Sequence, residues 1–465
     1  MENEKLAAVR GYIDARTDFI ERTLERLVRI PSVRSEALPD APFGKECADA
    51  LRETASIYRE NGFAVNERLS DGYITAFCGG GGRNIGIFAH ADVVPAGDGW
   101  TLAEPFSPRV IDGCMVGRGS GDNKSGVVAS LLASMAVRDL GLLRDSGLTI
   151  FTGAGEETGM ADIKAFAKNE RMPDVSLVPD TCFPVFRGEK GIINLRAECR
   201  RALDTVAEFT DGNAFRFVPG TAVAVMKKPL GRGIVGDSGD ISLSEDGKTL
   251  RARGIAKHPA MPRGSKNAVA LLVKAFSECA EISENDRGIF ADMLPFFDIF
   301  GEGIGAAKVD PDFGAVTSAS GMIGLDGGKP VLWFNIRYGA SLDGGEIVRK
   351  VTEKLDKKGF DVQVDSVNGG FIVPESDPTL RTLLKAYSEA VGGDIPKAYL
   401  SDGGTYARYL KNAFSTGSYT WRGRPSGLPE GHGGAHSPDE YVSLDGIADA
   451  AAILARMIVG LSENI

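Results

Sequence analysis

Residues 85–95 read Ile85-Gly86-Ile87-Phe88-Ala89-His90-Ala91-Asp92-Val93-Val94-Pro95. The apolar run predicts a buried β-strand that ends in a histidine, and an aspartate follows two positions later. Open α/β sheets bind their ligands at the carboxyl ends of such strands. His90 and Asp92 are therefore two candidate metal ligands at a strand end.

Helices and strands alternate on both sides of this segment. Helical periodicity, Pro and Gly positions and short β-rich runs define each element. The predicted elements are helices at 6–30, 44–61, 125–140 and 161–169, a strand pair within 63–78, and strands at 148–152 and 175–179. Such alternation predicts a doubly wound α/β sheet.

The pattern changes after about residue 187, where longer alternating strands favour an antiparallel α+β arrangement. Helical periodicity with the character of the first part resumes after about residue 372. We therefore predict a catalytic domain made of residues 1–186 and 373–465, interrupted by an inserted domain at 187–372. The insert is long enough for two small ferredoxin-like α+β units.

Composition excludes several classes of protein. The 465 residues carry a net charge of −10 without a Lys/Arg cluster, which argues against nucleic-acid binding. No apolar run reaches the roughly 18 residues that cross a bilayer, and 447–461 predicts a docked amphipathic helix. The six cysteines are scattered, with no CxxC pair and no secretory leader, so we expect reduced thiols in the cytoplasm.

A glycine-rich turn at 117–126 presents Asp122. It does not fit a phosphate-binding loop, because the residue directly before Lys124 is Asn123 and not glycine. It does not fit a nucleophile elbow either, because neither Ser120 nor Ser125 is framed by glycines at the required offsets. What remains is a carboxylate on a tight turn, which suits a ligand that bridges two cations.

Three further motifs carry metal-capable side chains after apolar segments. Adjacent glutamates are usually solvated surface residues, but Glu156 and Glu157 follow a buried strand, so one can bind metal while the other acts as a general base. Asp180 follows the next strand, and His436 lies in a late Gly/Ser/Pro loop. With His90 and Asp122, this set predicts a two-metal site of nitrogen and oxygen ligands.

The order of these motifs resembles the di-zinc metallopeptidase family that includes aminoacylases, glutamate carboxypeptidases and bacterial dipeptidases. The resemblance spans nearly the whole chain. Residues 403–408 and the closing His-Ser-Pro-Asp-Glu-Tyr segment are most similar to the PepV-type dipeptidase branch. The resemblance implies that the insert is a lid domain and that a cis peptide follows Asp122.

The resemblance also implies a role for each site residue. The implied metal ligands are His90 and Asp180 for one ion, Glu157 and His436 for the other, and Asp122 as the bridge. Glu156 would be the general base, and Asp92 would orient His90. His432 competes with His436 as a ligand, but the family segment aligns on His436.

The insert contributes substrate-facing residues by the same resemblance. His258 would stabilise the oxyanion, and Arg337 would bind the substrate carboxylate through its planar guanidinium. Asn267 is a further expected substrate contact. Related dipeptidases carry an asparagine before a Val-Pro step, where this chain has Arg216, so Arg216 is an expected substrate contact that would alter specificity.

The predicted function is hydrolysis of dipeptides with a free N-terminus by a metal-bridged hydroxide. We expect two divalent ions, zinc first, with manganese or cobalt as substitutes. The alternatives are an N-acyl amino-acid deacylase or a carboxypeptidase of the same family and, more remotely, an inactive metal-stabilised binding protein. Shorter lids in this family dimerise to complete a neighbour's site, so the long insert predicts a monomer.

Overall fold

The computed structural model describes residues 2–211, 218–236 and 239–463. The chain divides into two compact units. The first comprises Met1–Arg187, Val373–Tyr399 and Thr405–Ile465, and the second comprises Gly188–Ile372 and Leu400–Gly404.

The helices and strands are numbered in chain order. The helices are α1 (Glu2–Asp14), α2 (Thr17–Val28), α3 (Lys45–Glu60), α4 (Lys124–Asp139), α5 (Ala161–Asn169), α6 (Ala268–Glu278), α7 (Glu284–Met293), α8 (Gly344–Asp356), α9 (Pro378–Val391) and α10 (Leu444–Glu463). The strands are β1 (Ala64–Arg68), β2 (Tyr73–Gly79), β3 (Asn84–His90), β4 (Arg109–Ile111), β5 (Cys114–Val116), β6 (Gly147–Gly153), β7 (Val175–Thr181), β8 (Phe186–Glu189), β9 (Gly191–Cys199), β10 (Val206–Thr210), β11 (Thr221–Met226), β12 (Ile241–Leu243), β13 (Thr249–Arg253), β14 (Val309–Asp310), β15 (Gly314–Ala315), β16 (Thr317–Asp326), β17 (Lys329–Tyr338), β18 (Phe360–Asn368), β19 (Phe371–Ile372), β20 (Tyr399–Ser401), β21 (Ala413–Gly417) and β22 (Tyr441–Ser443).

A mixed sheet forms the centre of the first unit. Its strands follow the order β1-β2-β6-β3-β7-β21. The pairs β1/β2 and β2/β6 are antiparallel, whereas β3/β6, β3/β7 and β7/β21 are parallel. Parallel strands end at the same edge of the sheet, so the loops after β3, β6 and β7 open side by side. The predicted doubly wound mixed sheet is confirmed.

The N-terminal region differs from the prediction of one long helix. The structure has two helices, α1 and α2, because the backbone of Arg16 leaves the helical region with φ −130° and ψ 28°. Ile13 on α1 and Ile20 on α2 are both buried and seven residues apart. The apolar spacing therefore stays in phase across the break, and periodicity could not reveal it.

The predicted docked helix near the C-terminus is α10, which is buried along nearly its whole length rather than on one face. Its two buried charged residues, Asp449 and Arg456, are paired. Asp449 accepts hydrogen bonds from Arg10 and Thr420, and Arg456 forms an ion pair with Glu389. Among the helices described, none combines the length and apolarity that crossing a bilayer requires.

The second unit contains two antiparallel four-stranded sheets, ordered β10-β11-β13-β12 and β16-β17-β9-β18. Helices α6 and α7 pack on each other, and α6 also contacts β11 and β13, whereas α8 packs on β18 and β9. The predicted α+β insert is confirmed.

Candidate active site

His90 is the last residue of β3 and is buried. Its Nδ1 atom lies 3.1 Å from the backbone oxygen of Asp92 and 3.3 Å from Asp92 Oδ1. Its Nε2 atom lies 3.2 Å from Asp122 Oδ1 and 3.5 Å from Asp180 Oδ1. This Nε2 atom is buried without a hydrogen-bond partner, which suits a nitrogen that binds a metal ion.

Asp122 stands between two histidines. It lies in the turn between β5 and α4, and the peptide bond to Asn123 is cis, as predicted. While Oδ1 faces His90, Oδ2 lies 3.2 Å from Nε2 of His436. The Asn123 side chain donates to the backbone oxygen of Pro179 at 2.7 Å. The turn is thereby tied to the strand that carries the next carboxylate.

The loop after β6 carries both glutamates. Glu157 Oε1 lies 2.8 Å from Nε2 of His436. The backbone N–H groups of Glu156 and Glu157 donate to the two oxygens of the Asp92 carboxylate, at 3.2 and 3.0 Å. Asp92 therefore holds the glutamate loop as well as touching the His90 ring, a second task that the sequence did not reveal.

Three groups of side chains could each hold a metal ion, with candidate ligand atoms within 4.8 Å of one another. They are His90/Asp122/Asp180, Asp122/Glu157/His436 and His90/Glu156/Glu157. The first two share Asp122, each of whose oxygens faces a different histidine. This donor set of imidazole nitrogens and carboxylate oxygens fits divalent transition metals.

Carboxylates that lie close together in a buried site have shifted pKa values. Burial, followed by repulsion from Asp180, raises the pKa of Glu156 well above its usual range. Burial also raises the pKa of Asp180 to about 6, against the opposing influence of His90. For His436, burial favours the neutral ring, but the Glu157 and Asp122 carboxylates outweigh it and raise the pKa to about 11. The cluster thus favours bound positive charge.

Two buried residues behind the site were not predicted. Tyr406 donates to Asp162, and the Asp162 carboxylate also accepts from the backbone of Gly155 at 2.8 Å. A side chain at Gly153 would collide with both, so only glycine fits there. This contact supports the turn that leads into Glu156. Asp162 and Tyr406 are 244 positions apart, so no local sequence pattern links them.

A profile of peptidase family M20/M25/M40 matches residues 86–460. The match covers most of the chain and includes every residue of the metal-capable cluster. The chain belongs to this family. Membership makes it a metal-dependent peptidase, in agreement with the donor set found at the strand ends.

Individual relatives of this M20 peptidase match along nearly its whole length. The Beta-Ala-Xaa dipeptidase of Lactobacillus delbrueckii subsp. lactis is 27% identical over 97% of this chain and 97% of its own. Human carnosine dipeptidase 1 has a TM-score of 0.62 at 16% identity, covering 98% of this chain and 99% of that one. The dipeptidase Dug1p from Saccharomyces cerevisiae also has a TM-score of 0.62, at 16% identity and 99% coverage of both chains. These two structures establish a shared fold.

The substrate-facing residues predicted in the M20 insert lie in the second unit. His258 follows β13 and accepts from the backbone N–H of Ala260 at 3.2 Å. Arg337 lies on β17, is buried, and donates to Asn335 Oδ1 at 2.7 Å. Their roles toward substrate stay predictions that rest on sequence resemblance. Arg216 lies outside the described residues.

Asn267 has a structural task within the second unit. Its Oδ1 atom accepts from the backbone N–H groups of Val269 and Ala270, which caps the N-terminus of α6. Its Nδ2 atom donates to the backbone oxygen of Ser320 at 2.6 Å. The capping role accounts for asparagine at this position, and substrate contact by Asn267 stays a prediction.

His432 pairs with a carboxylate outside the metal-capable cluster. Its Nδ1 atom lies 2.7 Å from Asp439 Oδ2, and the same carboxylate accepts from the backbone N–H groups of Thr101 and Leu102. Within the part of the chain that the structure describes, no candidate metal cluster includes His432. His436, not His432, faces Glu157, as the motif alignment indicated.

Replacing Asp92 by alanine tests whether its carboxylate supports both the His90 ring and the glutamate loop. Loss of the carboxylate leaves the His90 ring with only the backbone oxygen of residue 92 as a contact at Nδ1, and it leaves the N–H groups of Glu156 and Glu157 without their acceptor. We expect peptidase activity or metal affinity to fall about 10–100-fold, as for other groups that support metal ligands. Asp98→Ala removes an exposed carboxylate from the same loop and should match the wild type in both assays. Equal behaviour of the two variants in kcat/KM and zinc affinity would contradict this role.

Proposed function

We propose that this M20 peptidase is a two-metal dipeptidase that cleaves dipeptides with a free N-terminus. The observation that carries the proposal is the pair of ligand groups that share Asp122, next to a buried Glu156. His90 and Asp180 would hold one ion, and Glu157 and His436 the other. Zinc suits this donor set best, and manganese or cobalt could replace it.

Divalent ions at this site would supply acidification of a water molecule and polarisation of the scissile carbonyl. The chain's own part begins with Glu156, which would accept the proton of the attacking water and return it to the leaving amine nitrogen. Asp92 holds the backbone of Glu156, so the base stays in place while the proton moves.

Two residues of the second unit would complete the reaction by the roles that the family resemblance implies. The ring of His258 would donate to the oxyanion that forms on the scissile carbonyl. The planar guanidinium of Arg337 would bind the substrate's terminal carboxylate through paired hydrogen bonds. Arg216 would be a second cation near that carboxylate and would change which side chains are accepted.

A matched substrate panel tests the dipeptide assignment. The panel pairs free dipeptides, including β-Ala-Xaa peptides, with N-acetylated forms, N-acyl amino acids and longer peptides. We expect hydrolysis of free dipeptides and at least 10-fold lower kcat/KM for the acetylated forms. Faster cleavage of N-acyl amino acids would make the enzyme a deacylase. Preference for C-terminal residues of longer peptides would make it a carboxypeptidase.

We propose a monomer in the cytoplasm as the working form. Two four-stranded sheets in the second unit give this chain a larger insert than a single α+β lid would provide. The six cysteines are all free, which suits a reducing compartment. Light scattering at increasing dilution should give the mass of one 49.3 kDa chain, and a constant dimer mass would contradict the proposal.

A further inference from the structure

Glu440 lies four residues after His436, in the loop that leads to β22. Its side chain is 1% exposed, although the metal-capable cluster does not include it. Buried carboxylates need several hydrogen bonds or a partner charge, so the contacts of Glu440 indicate what it does.

One oxygen of Glu440 holds the turn that carries Asp122. Oε1 accepts from the backbone N–H of Gly121 at 2.9 Å and from the backbone N–H of Asp122 at 2.9 Å. The second of these is the peptide nitrogen of the shared metal ligand itself. The Asp122 backbone is thereby fixed directly behind the carboxylate that faces both histidines.

An arginine balances the charge of the Glu440 carboxylate at its other oxygen, Oε2. Oε2 accepts from Nη1 of Arg118 at 2.6 Å, and Arg118 is itself 1% exposed. Arg118 also donates to the backbone oxygen of Ala96 at 3.0 Å and lies over the Trp100 ring. The guanidinium offsets the charge of Glu440, so this carboxylate can stand beside acidic ligands without adding a net negative charge.

The backbone of Glu440 reinforces the same connection. Its carbonyl oxygen accepts from the N–H of Gly117 at 2.8 Å and from the Ser120 hydroxyl at 3.3 Å. The neighbouring residue Asp439 is fully buried and holds residues 101–102 on the other side. The loop that carries His436 and the turn that carries Asp122 are therefore joined through Glu440.

We propose that Glu440 is a positioning residue that fixes Asp122 as the shared ligand and couples its placement to that of His436. Glu440 touches neither metal nor substrate in this role. The inference rests on the proposed two-metal site, and it adds a residue that the family resemblance did not assign. Its consequence is that metal affinity, rather than folding alone, depends on Glu440.

Zinc affinity of the full-length chain tests this role, measured by competition with a chromophoric chelator. Glu440→Ala is expected to weaken zinc binding about 10–100-fold, as for other supports of metal ligands. Glu440→Gln keeps an oxygen that can accept from Gly121 and Asp122 and should lie between alanine and wild type. Asp449→Ala is the matched control, because it removes a buried, arginine-paired carboxylate from α10.

The control separates positioning from stability. Asp449→Ala should lower the melting temperature but keep wild-type zinc affinity. Wild-type affinity in Glu440→Ala, or an equal loss in both variants, would overturn the inference. If Glu440→Ala does not fold, Glu440→Asp keeps the charge beside Arg118 but withdraws the carboxylate, and wild-type affinity there would overturn it. A wild-type chain that binds no zinc would instead overturn the proposed function, and this inference with it.

Discussion

Glu156→Gln is expected to lower kcat by about 10²–10⁴-fold, the usual contribution of a general base. The amide conserves the size of the side chain but cannot accept the proton of water. Its backbone contact with Asp92 is retained, so the loop should keep its position. The measurement is steady-state hydrolysis of the best dipeptide from the panel, together with the zinc content of the variant.

The zinc content decides between two interpretations of Glu156. The candidate clusters include one in which Glu156 joins His90 and Glu157. A general base leaves zinc content unchanged when it becomes glutamine, whereas a ligand loses an ion. Loss of activity together with one zinc equivalent would contradict the role as base. Glu36→Gln changes an exposed glutamate in the same way and should retain full activity.

Asp122→Ala is expected to have the second large effect, because it removes the carboxylate that two ligand groups share. Residues that support metal ligands typically contribute about 10–100-fold. We expect a larger loss of activity here, since each of the two candidate ion positions would lose a ligand. Zinc content should fall below that of Glu156→Gln. Metal analysis after dialysis, paired with dipeptide turnover, measures both quantities.

Comparison with a His436 variant tests whether Asp122 is shared by the two ligand groups. His436→Ala removes a ligand from one group only, so it should retain more zinc than Asp122→Ala. Equal zinc content in the two variants would contradict the bridging position of Asp122. Asp98→Ala serves as the exposed aspartate control and should bind zinc as the wild type does.

The metal-capable residues could be predicted because each follows a local signal. His90 and Asp180 lie at or beside the ends of buried strands, and Asp122 and Glu157 lie in glycine-framed turns. Parallel strands bring such ends together without any further information. The doubly wound order of the first unit was predictable for the same reason, since strands and helices alternate along the chain.

The supporting contacts were not predictable, because they join distant parts of the chain. Glu440 and Asp122 are 318 positions apart, and Tyr406 and Asp162 are 244 apart. A buried carboxylate leaves no periodic pattern in the sequence. The capping role of Asn267 was likewise not predicted, because the motif indicated only a substrate contact, which stays a prediction. The break between α1 and α2 was hidden because the apolar spacing stays in phase.

Reconstitution of metal-free protein tests the central claim most directly. The wild-type chain is stripped with a chelator, and zinc, manganese or cobalt is added back while bound metal and dipeptide turnover are measured together. We predict no turnover by the stripped protein, and full recovery as two equivalents of metal bind per chain. Turnover of free dipeptides by protein that contains no metal would contradict the account, as would binding of two equivalents without any recovery of dipeptide hydrolysis.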